Sequence, residues 1–201
     1  MHVLVHVNVP VLSTVQGLPR RRYTQDRVPF AYYDKLSKKE KAVYDRSDAI
    51  SSIRLPQAAL LWPVVRVLEE ALLRDDRRVA QRACNLLARG ISAMLKVEPV
   101  AVGVLAVRPS WQFRELHGLY TREPGKPPRI RVWMRTVRYK RVVAFRTFLR
   151  TLLHEVCHHL DYTHLGLAES FHTQGFFKRE SSLFHQLVSD AAAAPPEENP
   201  A

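Results

Sequence analysis

The chain has 201 residues, 46% of them apolar, and a formal net charge of +12. That suffices for one sizeable core, so one domain with extensions is expected. Two cysteines, Cys84 and Cys157, exclude a disulfide framework and a cysteine zinc finger, and no apolar run longer than Val100 to Val107 is present to span a membrane.

Residues 1–50 read as an N-terminal extension. The first ten lack the basic start of a signal peptide, so a cytoplasmic chain with no membrane partner is expected. Val3, Val5, Val7 and Val9 alternate as in a short strand, and Arg20, Arg21 and Arg22 form a basic cluster. Ser37 and Glu40 have capping-box spacing, which predicts a short helix over about 37–46. The domain is expected over 51–190. Its first helix, roughly 57–74, carries an apolar stripe of Leu60, Leu61, Val64, Leu68, Leu72 and Leu73. A second, roughly 76–96, carries Val79, Ala83, Leu86, Leu87, Ile91 and Leu95. Both read as scaffold.

Three strand candidates follow, at 100–107, 112–121 and 130–137, with turns at Pro109 and around Pro124 and Gly125. A short meander is the simplest arrangement. In the last candidate Ile130, Val132 and Met134 alternate with Arg129, Arg131, Trp133 and Arg135. A helix over about 140–162 comes next, and Gly166 marks its exit. A final helix over 172–188 follows, with Ser170 or Thr173 as its cap. Residues 191–201 read as a disordered tail. The expected fold class is α+β: two scaffold helices, a small three-stranded sheet, a central helix and a C-terminal helix.

Charge is unevenly spread. Residues 101–150 hold twelve Lys or Arg against Glu115 and Glu123, a net of +10, whereas residues 151–201 have a net of −5. A basic segment suits an anionic partner, so DNA contact through 101–150 is one expectation, carried by Arg129, Arg131, Arg135, Arg138, Lys140 and Arg141. The plain alternative is a solvated face whose arginines reflect the base composition of the gene.

The chemistry concentrates in His154-Glu155-Val156-Cys157-His158. Four residues along a helix give about 6 Å of rise and about 40° of rotation, so His154 and His158 lie one above the other. Two imidazoles so placed can reach one metal ion at about 2.0–2.1 Å. Glu155, about 100° round, is off the ligand face but close enough to touch a water at the metal. That is the pattern of a zinc hydrolase with a glutamate base. Phe145, Phe148, Leu149, Leu152, Leu153, Val156 and Leu160 make this a central helix. A buried helix has little reason to carry two His and a Glu without partners. Asp161 falls on the His154 face and could accept a hydrogen bond from a ligand imidazole.

Catalytic zinc usually takes three protein ligands. His164, Glu169, His172, Glu180 and His185 are available after His158. His164 has metzincin spacing, but Asp161 stands where that family has Gly, and no Met follows the motif. Glu169 or Glu180 would give a gluzincin. His172, with Phe176 four residues on at the start of a helix, resembles the third-ligand element of the SprT-like (Spartan-type) zinc metalloproteases. Thr173 stands where that element has Gly. The order of helices and strands over roughly 55–190 is also similar to that family's catalytic domain. By that resemblance His172 is the third ligand and the fold is a minimal zincin.

The expected function is a zinc-dependent metallopeptidase. Zn2+ would be held by His154, His158 and His172, and Glu155 would activate a water to hydrolyse peptide bonds in a protein or peptide substrate. An extended substrate would pair with an exposed strand edge beside the site helix. Tyr139, Tyr162 and His185 are the candidates for stabilising the oxyanion. Two other classes fit part of the pattern: a zinc-binding but non-proteolytic regulatory protein, and a basic nucleic-acid-binding protein with an incidental histidine cluster.

Overall fold

The computed structural model describes residues 30–111 and 114–188. The expected strand at Val3–Val9, the basic cluster Arg20–Arg22 and the tail from 191 lie outside these residues. The described chain is α+β: five helices around a small mixed sheet. The helices are α1 (Lys38–Ala49), α2 (Trp62–Leu73), α3 (Arg77–Leu95), α4 (Phe145–Thr163) and α5 (Gln174–Val188). The strands are β1 (Ala101–Val107), β2 (Ser110–Trp111), β3 (Arg114–Glu115), β4 (Gly118–Thr121) and β5 (Arg129–Arg135).

Local chemistry explains the helix starts. Ser37 and Glu40 form the expected capping box on α1. Asp76 accepts from the amides of Arg78 and Val79 to open α3, and Thr173 accepts from Phe176 to open α5. Tandem leucines divide as helix geometry requires, because neighbours are about 100° apart. Leu61, Leu72 and Leu87 are buried, while Leu60, Leu73 and Leu86, placed in the same stripes by their composition, are exposed. Helix α4 is the centre of the molecule, with every residue from Leu152 to Asp161 buried.

The expected meander is not formed. Strand order is β1-β5-β4, with β5 in the middle, parallel to β1 and antiparallel to β4. The two seven-residue strands satisfy each other's hydrogen bonds, and Val102 and Val104 stand beside Ile130 and Val132 in the core. The four residues of β4 could have paired with only part of β1. Part of the intervening chain makes a separate two-stranded ribbon, β2 with β3.

The central helix also starts later than expected, after Ala144. Thr136 donates to the Arg141 carbonyl and Val143 to that of Met134, so β5 continues into a hairpin whose turn includes Lys140 at φ 52°. Helix α1, assigned by sequence to the extension before residue 51, packs against α5 and buries Tyr44 and Ser47.

The two edges of the sheet differ. Along β1, side chains of α3 act as a substitute strand. Asn85 bonds both the amide and the carbonyl of Val102, Gln81 bonds the Val104 amide and the Val102 carbonyl, and Arg77 bonds the Val104 carbonyl. That edge is sealed against another strand. Strand β4, at the other edge, lies against α4.

Candidate metal centre

His154 and His158 project from α4 as their spacing predicts. His172 arrives from the irregular segment between α4 and α5. The three Nε2 atoms converge: His172 Nε2 is 2.9 Å from His154 Nε2 and 3.2 Å from His158 Nε2. Donors at about 2.05 Å from one tetrahedral ion stand about 3.3 Å apart, so the cluster is within a few tenths of an ångström of that geometry. These three histidines lie close enough to hold one metal ion. The buried Phe176 ring touches all three imidazoles, at centroid distances of 4.9, 4.7 and 5.1 Å from His154, His158 and His172.

Hydrogen bonds at the far side of two of the rings fix which nitrogen faces the centre of the cluster. Glu180 Oε2 lies 3.1 Å from His154 Nδ1 and can accept its proton. Asp161 Oδ2 accepts from the Ser170 hydroxyl at 2.7 Å. The Ser170 oxygen therefore accepts from His158 Nδ1–H, also at 2.7 Å. Both rings are thereby set with the proton on Nδ1 and Nε2 unprotonated, the tautomer that metal coordination through Nε2 requires. Asp161 is balanced by Arg179 at 2.8 Å, a pair with both side chains fully buried. Burial pushes the Asp161 carboxyl up, and Arg179 opposes it.

Glu155 is 3% exposed and sits against β4. A Cβ on Gly118 would collide with its Oε1 and Cγ, so only glycine admits the carboxylate in this position. Burial pushes the Glu155 carboxyl up to about 7, with His154 and a backbone hydrogen bond from Tyr120 pulling the other way. Its Oε2 is buried with no hydrogen-bond partner among the described residues. An acceptor held in that way is costly unless a proton donor reaches it.

The other candidates fall elsewhere. His164 is an exposed C-cap residue of α4 and is outside the cluster. Glu180 and Asp161 lie behind the three histidines, Glu180 on His154 and Asp161 on Ser170, rather than joining the cluster. His159 is fixed between the Tyr120 hydroxyl and the Glu98 carbonyl, and Cys157 is a core side chain. Tyr162 stacks on Tyr120 beneath Arg122, Tyr139 is at the tip of the β5 hairpin, and His185 is an exposed residue of α5.

The basic residues separate into two groups. Arg129 and Arg131 are exposed on the outer face of β5, and Arg135 on the same strand pairs with Asp75 at 2.5 Å. Arg138, Lys140 and Arg141 occupy the hairpin tip.

Sequence reasoning missed Arg179, Gly118 and Tyr32, whose hydroxyl donates to the His172 carbonyl at 2.8 Å. One signal was present. Arg179 and Glu180 occupy the stripe of Phe176, Leu183, Phe184 and Leu187, where charges need buried partners. No protein-family model matches the chain, and neither a curated protein nor a solved structure matches it.

Proposed function

We propose that this chain is a zinc-dependent metallopeptidase of minimal zincin architecture, similar to the SprT-like proteases. The observation that carries this reading is the convergence of three imidazoles, two of them oriented by hydrogen bonds at Nδ1, beside a buried carboxylate with an open oxygen. Three imidazole nitrogens suit zinc among the common divalent ions. When bound, zinc would lower the pKa of a coordinated water and polarise a substrate carbonyl. Glu155 supplies the base. Its Oε2 accepts a proton from the attacking water and returns it to the leaving amine.

An extended peptide would pair with β4, because α3 seals the edge of β1 and β4 runs beside Glu155. The test is cleavage of an unfolded protein by zinc-loaded wild type and Glu155→Gln. The variant should keep its zinc and lose at least about a hundredfold in rate. Equal cleavage by the two would overturn the reading, and absence of cleavage by both would favour a non-proteolytic zinc protein.

A second reading concerns nucleic acid. Tyr139 is 61% exposed at the hairpin tip, with the Arg138 and Arg141 guanidinium groups 5.0 and 5.5 Å from its ring centre. An exposed ring among cations suits a single strand, which offers a base to stack and phosphates to neutralise. Tyr139→Ala should weaken binding of a single-stranded oligonucleotide, and that binding should fall steeply with salt. Binding that is unchanged in the variant would remove this role from the tip.

A further inference from the structure

We propose that the segment Phe30–Ile50 is a brace for the metal centre, holding His158 through Arg179, Asp161 and Ser170, and His172 through Tyr32. This brace presupposes the three-histidine centre proposed above and adds the part of the chain on which its affinity depends.

The first arm starts at the C-terminal end of α1. The Arg179 guanidinium donates to the carbonyls of Ser47 and Ile50, each at 2.6 Å, and to the Ser47 hydroxyl at 3.0 Å. These carbonyls lie at a helix C-terminus, where the backbone carries partial negative charge. Arg179 also donates to Asp161 Oδ1 at 2.8 Å. Asp161 then orients the Ser170 hydroxyl, and Ser170 sets the ring and tautomer of His158. The links from Arg179 to His158 are buried: Asp161 accepts from Arg179 on one oxygen and from Ser170 on the other, and Ser170 accepts from His158. Moving the α1 carbonyls would leave a buried cation short of partners, and the strain would fall on Asp161.

The second arm holds the ligand that no helix carries. His172 lies in an irregular segment, so its position depends on outside contacts. Tyr32 bonds its carbonyl, and Asp48 Oδ1 accepts from the Gly175 amide at 2.9 Å, three residues further on. Gly175 permits this approach, since a Cβ there would be 2.6 Å from the Ser47 carbonyl. His154 differs. Its Nδ1 partner, Glu180, belongs to α5.

The test uses the full chain with Tyr32→Phe, Ser47→Ala and Ser170→Ala, beside Asn85→Ala at the β1 edge as a destabilised control. Zinc dissociation constants come from competition with a chelating dye, and thermal unfolding of the metal-free proteins reports general stability. Ser170→Ala should weaken zinc binding by about 10–100-fold. Tyr32→Phe and Ser47→Ala should each weaken it several-fold, while Asn85→Ala loses thermal stability with zinc affinity unchanged. Zinc affinity equal to wild type in Tyr32→Phe and Ser47→Ala would overturn the brace. A wild type that binds no zinc would instead overturn the metal centre itself, so the two failures are distinguishable.

Discussion

At the residue scale the proposed base, Glu155, is buried, and its burial has a measurable consequence in the metal-free protein. Its carboxyl is raised from an ordinary 4.5 to about 7. The folded state therefore holds that proton more tightly than the unfolded state. The resulting stability is full below pH 4.5 and is lost as pH rises through about 7. Glu155→Gln removes the ionisation, so the metal-free variant should unfold at a higher temperature than metal-free wild type at pH 8. The gap should close by pH 4.5. A gap of the same size at both pH values would contradict this account of the site. Gly118 offers a second check. Gly118→Ala should displace the Glu155 carboxylate and reduce peptide cleavage by at least about tenfold with zinc content unchanged, because misplacing a reacting group by about 1 Å is costly. His154, Glu155 and His158 were legible in the sequence because helix geometry alone puts them in register. Ser170 and Tyr32 were not. Their roles come from partners 12 and 140 residues away, a relation that local pattern does not encode.

At the scale of elements, the sealed edge of β1 makes a prediction about stability. Asn85 satisfies both backbone groups of Val102. Asn85→Ala should cost about 1–3 kcal/mol in chemical denaturation, since it leaves those groups unpaired. A change below about 0.5 kcal/mol would mean that water replaces the side chain there. Helix existence was legible from apolar stripes and caps, as Ser37 with Glu40 and Thr173 illustrate. Sheet order was not. The meander is the shortest connection, but the long strands β1 and β5 pair with each other, and pairing across 28 residues, from Ala101 to Arg129, leaves no local signature. The packing of α1 against α5 was not legible for a similar reason. Helix α1 is polar on most of its surface, and its link to the core runs through Arg179, Ser47 and Tyr44 rather than through a leucine stripe.

At the scale of the whole molecule, the three clustered histidines come from α4 and the segment before α5, and their supports come from that same segment, from the chain before α1, and from α1, α4 and α5. A metal bound there ties these elements together in the native state alone, so it stabilises by mass action. Removing metal with a chelator should lower the unfolding temperature by several degrees, and restoring zinc should recover it. An unfolding temperature indifferent to zinc would mean that the histidines hold no ion when folded. The identity of the three proposed ligands is measured most directly by metal content per chain. Wild type and His164→Ala should each carry one zinc per chain, and His172→Ala should carry substantially less under the same dialysis. Full zinc in His172→Ala with loss in His164→Ala, or no zinc in wild type, would contradict it.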